Sequence, residues 1–562
     1  MNRRLHRTLA SGLPLLAMLA LAACGSRTDV SASGNAPAQY THVYLTVSQV
    51  GFNASATANP ADSGWSSFTL PTPRTIDLTA LANGGLSQFA SQLKVGIGTW
   101  SQMLLVLADT GATLTTSASG LGAASNNEVD YYDSSGTLYR APLQVVNAAA
   151  GITVPINLTI RPDFSTEGSS SASSSSAAGS SAASSTTTTS AVVDFDAARD
   201  LRPISLSGTA AFALDPHPQG FDAGRTGTIA GVVDLSGVDT LSVSGVPDVQ
   251  VTAETASSDG TRHVAVTTTL VAADGSFSLY PLSTAPGAPS SYDIVIHGPA
   301  IDTVIIKSVP VASGAPGTAT VELGTIPLTA ATTFAVNVDS TRPVVPGTAT
   351  VGFYQTLPLS GETPYLVEQR ATDPFSGVFT VAQQLAGGAL QYATFTAAGA
   401  AVTTTTVTPS QGAATYQVAA INPLYGEGTL STKVVSAGTG NTALFTVPAL
   451  PIPDGASADS IAGTLTVTNP GTYDKGELVL TRGGALVAAV PLDAYLAQAG
   501  GSATFFSAIP GGGGGSYSPG VYYAEVWAWN SGNPAGTLVR TPYGAPIDLT
   551  AGSTGGIAFS VP

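Results

Sequence analysis

Apolar and polar residues alternate along much of this chain with a period of two, the mark of half-buried strands. In Thr41-His42-Val43-Tyr44-Leu45-Thr46-Val47, residues Val43, Leu45 and Val47 share one face, which leaves His42 on the other. Trp65 to Leu70, Met103 to Ala108, Ile152 to Ile160 and Ala191 to Phe195 read the same way, while Ile76 to Leu81 and Ser87 to Leu93 suit short helices. Val, Thr, Gly and turn signals such as Asp274-Gly275 recur at intervals of about 8–12 residues thereafter. The pattern predicts an all-β protein of several β-sandwich domains in series.

The alternation is sharpest between residues 520 and 530. Tyr522, Ala524, Val526 and Ala528 make one face, and Tyr523, Glu525, Trp527 and Trp529 the other. The charge on Glu525 marks the second face as wet. Two tryptophans about 6.6–6.8 Å apart would then form an exposed platform for stacking sugar rings, with Glu525 accepting hydroxyl hydrogen bonds. The competing reading is a set of aromatics covered by a neighbouring strand or domain. Gly511 to Gly515, just upstream, reads as a loop tip without the strand and helix context of a phosphate cradle.

The N-terminus carries an address. Arg3, Arg4 and Arg7 precede the apolar stretch Leu13 to Ala23, which is too short to span a bilayer and reads as a signal peptide over residues 1–23. Leu21-Ala22-Ala23-Cys24 resembles a bacterial lipobox. That resemblance implies cleavage before Cys24, a diacylglycerol and acyl (palmitate-type) chains on it, and a lipoprotein held at a membrane of the cell envelope. Gly25 stands where an aspartate commonly retains such lipoproteins in the inner membrane, so the resemblance favours the outer membrane. Cys24 is the sole cysteine, so no disulfide forms within one chain. No later run reaches 18 apolar residues, and residues 24–39 lack apolar periodicity and read as a lipidated, flexible tether.

Residues 165–190 are almost entirely Ser, Ala and Thr, a composition that cannot bury enough apolar surface to order itself. Their flanks, Val154-Pro155-Ile156-Asn157-Leu158 and Val192-Val193-Asp194-Phe195-Asp196, read as consecutive strands of one sheet, which makes the tract a loop within a first domain, 40–222. The element order of that domain, from Tyr40 through Trp65, Ile76-Asp77-Leu78, Leu104-Leu105-Val106-Leu107 and Val154-Pro155-Ile156 to Val193-Asp194-Phe195-Asp196-Ala197-Ala198-Arg199, resembles the bacterial lipoprotein family of domain of unknown function 4382. The resemblance implies a β-rich secreted domain with no assigned activity. Next, Gly227-Thr228-Ile229-Ala230-Gly231-Val232-Val233, Val246-Pro247-Asp248-Val249-Gln250-Val251-Thr252-Ala253, Asp274-Gly275-Ser276-Phe277-Ser278-Leu279 and Tyr292-Asp293-Ile294-Val295-Ile296 resemble a carboxypeptidase-regulatory-like, transthyretin-type β-sandwich over 224–328, a scaffold with no catalytic residues to transfer. Two further β domains are expected at 331–450 and 458–562, separated by a stiff linker at Pro448 to Pro453.

Composition narrows the function. The 562 residues hold 19 Lys and Arg against 35 Asp and Glu, a net charge of −16, which becomes 16 − 35 = −19 once the three signal-peptide arginines are removed. Without a basic cluster the chain is suited neither to nucleic acid nor to electrostatic docking on anionic lipid, since both need a positive face. Gly-x-Ser-x-Gly, His-Glu-x-x-His, a P-loop and Cys-based metal sites are all absent from the sequence. His42, His217, His263 and His297 are scattered singly, and Asp215-Pro216-His217-Pro218 reads as a rigid connection. Asp194 and Asp196, two apart on a strand, could offer a cation two carboxylates; the alternative places Phe195 in the core and pairs the aspartates with Arg199 and Arg202 at the surface. The expectation is a lipid-anchored envelope protein with a structural or ligand-binding role as adhesin or scaffold, without cofactor or catalysis. A carbohydrate-binding surface lipoprotein and a polysaccharide hydrolase working through two distant carboxylates are the competing classes.

Overall fold

A computed structural model describes residues 26–562 except 61, 134, 147, 162–187, 207–208, 239–244, 313–319, 341–348, 373–378, 422–428, 439, 447–458, 483–484, 497–501, 510–520, 533–538 and 550–553. The chain is all-β, with four two-sheet units in sequence. The first contains β1 (Ser26–Asn35), β2 (Tyr40–Asn53), β3 (Ser66–Asp77), β4 (Ser87–Val95), β5 (Gly98–Leu107), β6 (Glu128–Tyr132), β7 (Leu138–Val145), β8 (Ile152–Ile160), β9 (Thr189–Asp196), β10 (Leu201–Leu206), β11 (Thr209–Leu214) and β12 (Gln219–Asp222). One sheet runs β12-β9-β1-β4 and faces another of order β10-β11-β7-β6-β2-β5-β8, with β3 also paired to β2. Val30, Phe89 and Val193 from the first sheet meet Val43, Leu45, Val47 and Leu105 from the second in one core.

Three expectations change here. Residues 26–35 are not a tether: they form β1, parallel to β9 and antiparallel to β4. Thr28, Val30, Ala32 and Ser33 are fully buried. The segment looks polar because strand pairing on both edges, not its own apolar content, holds it. Ser87–Leu93 belongs to strand β4, whereas Leu78–Leu81 is a turn of 3₁₀ helix capped by Asp77. The strands flanking the Ser-rich tract, β8 and β9, lie in opposite sheets and not side by side in one sheet. Most of the Ser-rich tract lies outside the described residues.

The other three units repeat one topology. The second has β13 (Thr226–Asp234), β14 (Gln250–Ala256), β15 (His263–Leu270), β16 (Ser276–Ser283), β17 (Ser291–Gly298), β18 (Ile301–Pro310) and β19 (Thr320–Pro327). The third has β20 (Thr333–Ser340), β21 (Thr350–Gln355), β22 (Tyr365–Ala371), β23 (Thr380–Ala386), β24 (Leu390–Thr394), β25 (Thr405–Val407), β26 (Thr415–Ile421), β27 (Thr429–Ser436) and β28 (Thr442–Phe445). The fourth has β29 (Asp459–Val467), β30 (Lys475–Arg482), β31 (Ala485–Pro491), β32 (Ser502–Ile509), β33 (Val521–Trp529), β34 (Val539–Pro542), β35 (Ile547–Asp548) and β36 (Thr554–Val561). In each, the first strand is central in a three-stranded sheet (β16-β13-β19, β23-β20-β28, β32-β29-β36) and runs parallel to the last. The facing sheets, β15-β14-β17-β18, β22-β21-β26-β27 and β31-β30-β33-β34, have the same order.

A shared pattern underlies this repeat. The inner strands β17, β26 and β33 carry Tyr292-x-Ile294-x-Ile296, Tyr416-x-Val418-x-Ala420 and Tyr522-x-Ala524-x-Val526, every one buried in its own core. The first strands β13 and β29 share Ile-Ala-Gly, and in each the glycine stands opposite a phenylalanine, Gly231 with Phe277 and Gly463 with Phe505. A Cβ on Gly463 would lie 1.8 Å from the Ile557 carbonyl oxygen, so the close approach of β36 requires glycine. The third unit is not self-contained as its boundaries 331–450 implied. Its β24 pairs in parallel with β18, and β25 follows, so both strands extend the sheet of the second unit. Pro448 to Pro453 lies outside the described residues.

Candidate functional site

Strand β33 divides as its alternation predicts. Tyr522, Ala524, Val526 and Ala528 enter the core of the fourth unit. The opposite face is not open: Trp527 is 4% and Trp529 1% exposed. Both rings, with Val479, pack against Val146, Ile204, Ala211 and Ala213 of the first unit. The last domain thus docks on the first. The Asn59 amide donates to the Val521 carbonyl (3.0 Å), and the Tyr523 hydroxyl to Asp62 (3.3 Å). Glu525 is engaged as well, accepting from Trp527 Nε1 (2.9 Å) and from Arg540 Nε and Nη2 (2.9 and 2.7 Å), while the Arg540 guanidinium lies 4.3 Å from the Trp527 ring centroid. The charge that pointed to water is neutralised in place, and Tyr523, Glu525, Trp527 and Trp529 form an interdomain seat, not an exposed sugar platform.

A second cluster sits where the first three units meet. Asp194 and Asp196 share a face of β9, but Arg199 and Arg202 do not pair with them as expected. Ser33 Oγ donates to Asp194 (2.7 Å), and Asp196 caps the short helix Ala197–Asp200 by accepting from the Arg199 backbone N–H (3.2 Å). The Arg199 guanidinium instead grips Asp200 through Nε (2.5 Å) and Nη2 (2.8 Å) and donates to the His217 carbonyl (2.9 Å). Asp200 also accepts from the His217 backbone N–H (2.9 Å), which explains the Asp215-Pro216-His217-Pro218 connection. Arg202 reaches the third unit, donating to the carbonyls of Ala371 and Thr380 (both 3.0 Å), and Arg370 returns to the Ala198 carbonyl (3.3 Å). This reciprocal tie was invisible in the sequence, since its acceptors are backbone carbonyls 169–178 residues away, while the local partner of Arg370 is Glu368.

Burial dominates the electrostatics at the junction. It pushes the Asp194 carboxyl up to about 7 against the Ser33 hydrogen bond, and Asp215 up to about 6 against the charge of His217. Burial acts on Asp200 too, yet Arg199 outweighs it and holds that carboxyl well below the usual range. Gln250 and His297 stand opposite each other on β14 and β17, about 6% and 5% exposed, and their side chains make no hydrogen bond among the described residues. Burial, aided by Arg370, lowers His297 to about 3, so the ring is neutral near pH 7. They line a cavity with Asp196, Arg199 and Glu368 whose free volume is about 20 Å³, and a neighbouring one beside Asp194 and His217 has about 10 Å³. Such spaces hold water, not a sugar ring. Among the described residues no three His, Cys, Asp or Glu side chains are placed to hold a metal, Asp194 and Asp196 included.

The remaining histidines are engaged in the structure: His42 with Asp77 (2.7 Å) and the Tyr44 ring, His263 with Asp293 (3.5 Å) and the Tyr365 ring. Cys24 and Gly511 to Gly515 lie outside the described residues. Among those described, no helix is long and apolar enough to cross a membrane.

Residues 29–216 match the family model of a domain of unknown function (DUF4382), a span that takes in β1 and agrees with its place in the first domain. No curated protein matches the sequence. Among solved structures the chain is similar to the Bacillus anthracis TIE protein, at 9% identity over 95% of this chain and 74% of that one, with a TM-score of 0.14. It is also similar to the shaft pilin SpaA of Lactobacillus rhamnosus GG, at 12% identity over 41% and 99% with a TM-score of 0.13. A tetra-tandem repeat from the extending region of a large adhesion protein is 12% identical over 93% and 99%, with a TM-score of 0.10. Likeness at these scores carries no functional argument.

Proposed function

We propose that this chain is a lipid-anchored protein of the bacterial cell envelope, held through Cys24 at the outer membrane, with a structural or adhesive role and no catalysis of its own. The observation that carries this reading is where the chain spends its aromatic and charged side chains. Trp527, Trp529, Arg202 and Arg370, the side chains best suited to a ligand, are used to join domains. The two junction cavities have room only for water, whereas a hydrolase acting on polysaccharide needs a cleft for a sugar ring between its carboxylates. The tandem sandwiches support the carboxypeptidase-regulatory-like reading of 224–328 and extend the same scaffold through 562. The lipobox supports the anchor.

The test is fractionation and mass spectrometry of the expressed full-length chain. The wild type is expected in the membrane fraction with an acylated Cys24 at its N-terminus. Cys24→Ser is expected to remain as uncleaved precursor; a variant that is still cleaved and acylated refutes the anchor.

A further inference from the structure

We propose that the end of the first domain formed by the start of β1, the β4–β5 turn and the end of β8 rests on an anionic lipid surface. This rests on the acylation of Cys24 proposed above. Because β1 begins at Ser26, only Gly25 stands between the acylated position and a strand held on both edges, two residue steps with a reach of at most about 7 Å. The bilayer therefore lies against whatever surrounds Ser26. Ser26 pairs with Val95, Gly98 with Ile160, and Thr28 with Thr189, so β1, the β4–β5 turn, β8 and β9 all present their ends there.

The chemistry of that end differs from the rest of this acidic chain. Arg27 and Lys94 stand opposite each other across β1 and β4, and Arg161 follows the last residue of β8; all three are exposed. Lys94 and Arg161 have no carboxylate partner among the described residues, Arg27 donates to the Gln92 side chain, and the half-buried Asp29 accepts from the Gln92 backbone N–H (2.8 Å). Between these cations the turn offers Ile97, 37% exposed. Trp100 holds the turn by donating to the Gly96 carbonyl (3.0 Å) and packing edge-on against Phe52 (6.2 Å). Apolar side chains ringed by Arg and Lys match an interface of acyl chains under anionic headgroups.

The opposite end of the same sheet is the internal contrast. It also exposes Leu138 and Tyr139, at 44% and 46%, but its cation Arg140 is paired with the buried Asp130 (3.7 Å) and Asp133 adds a further carboxylate, so no unpaired positive charge flanks them. The 14-residue strand β2 separates the two ends by about 45 Å.

The experiment uses the full-length acylated chain with Ile97→Cys or Leu138→Cys, each labelled with an environment-sensitive fluorophore, since acylation blocks the native Cys24 thiol. The chains are reconstituted into phosphatidylethanolamine–phosphatidylglycerol vesicles bearing brominated acyl chains. Fluorescence at 97 should be quenched and that at 138 unchanged. Arg27, Lys94 and Arg161 changed together to Gln should abolish the quenching at 97 while the chain stays membrane-bound. Mass spectrometry separates the two ideas: an unacylated Cys24 removes the anchor and this proposal with it. An acylated chain whose label at 97 is unquenched leaves the anchor standing and overturns the docking, as does quenching at 138 instead. Shielding of the label at 97 from an aqueous quencher without quenching by lipid would show that protein, not lipid, covers this end, and would equally overturn it.

Discussion

If Trp527 and Trp529 seat the last domain on the first, a charge placed in that seat from the other side must undo it. Ala211 is the position to use. It is 3% exposed on β11, its side chain belongs to the interface cluster, and its cross-strand neighbour Ile204 offers a carboxylate nothing to pair with. Two tryptophan side chains burying about 150–250 Å² each contribute roughly 4–6 kcal/mol apiece at about 25 cal/mol per Å². An ionised carboxylate forced among them without a partner costs several kcal/mol. Ala211→Glu is therefore expected to release the fourth domain while leaving the first folded, because Ala211 faces away from the core that holds Phe212 and Leu214. Small-angle scattering should show an increased radius of gyration. Acrylamide should reach two more of the four tryptophans, and the fourth domain should melt in a separate transition. Ala211→Val, apolar and slightly larger, should keep the seat closed. An Ala211→Glu protein with wild-type dimensions and tryptophan quenching would refute the docking argument.

Two further outcomes follow from the same structure. Burial, with the charge of Asp493 adding to it and Lys475 opposing, holds the Glu477 carboxyl up to about 8. Between its ordinary value of 4.5 and that pH the unfolded chain releases a proton that the folded chain keeps, so this group makes stability fall as pH rises through the window. Glu477→Gln should flatten that part of the pH–Tm curve and raise Tm near pH 8; a variant that leaves the slope unchanged would contradict the assignment. Gly463→Ala should destabilise the fourth domain by about 1–3 kcal/mol or more, because the Ile557 carbonyl must move, whereas Gly544→Ala, with nothing within 4 Å of its new Cβ, should be near neutral in chemical denaturation.

What the sequence determined by itself is what depends on local periodicity. Strand β33 shows this directly: two-residue alternation put Tyr522, Ala524, Val526 and Ala528 into one core, because a strand's geometry sends every second side chain the same way whatever lies beyond. The same reasoning located most strands and the all-β class. The repeat of Tyr292, Tyr416 and Tyr522 at the head of the three inner strands was also present in the sequence, but short apolar triplets are too common to single out before the topology aligns them.

Tertiary structure decided everything that depends on residues distant in the chain. Composition read residues 26–35 as a tether, since a segment of Ser, Thr, Ala and Asp has little to bury alone; pairing with β4 and β9 made it a central strand. Glu525 suggested a wet face, and only the return of the fourth domain to the first, with Tyr523 meeting Asp62 across 461 residues of sequence, showed that face to be covered. Arg202 and Arg370 found backbone carbonyls in each other's domains, and Asp194 and Asp196 found a hydroxyl and a helix end in place of the expected arginines. A sequence specifies which side chains share a face; what meets that face is set by long-range packing, whose partners no local pattern names.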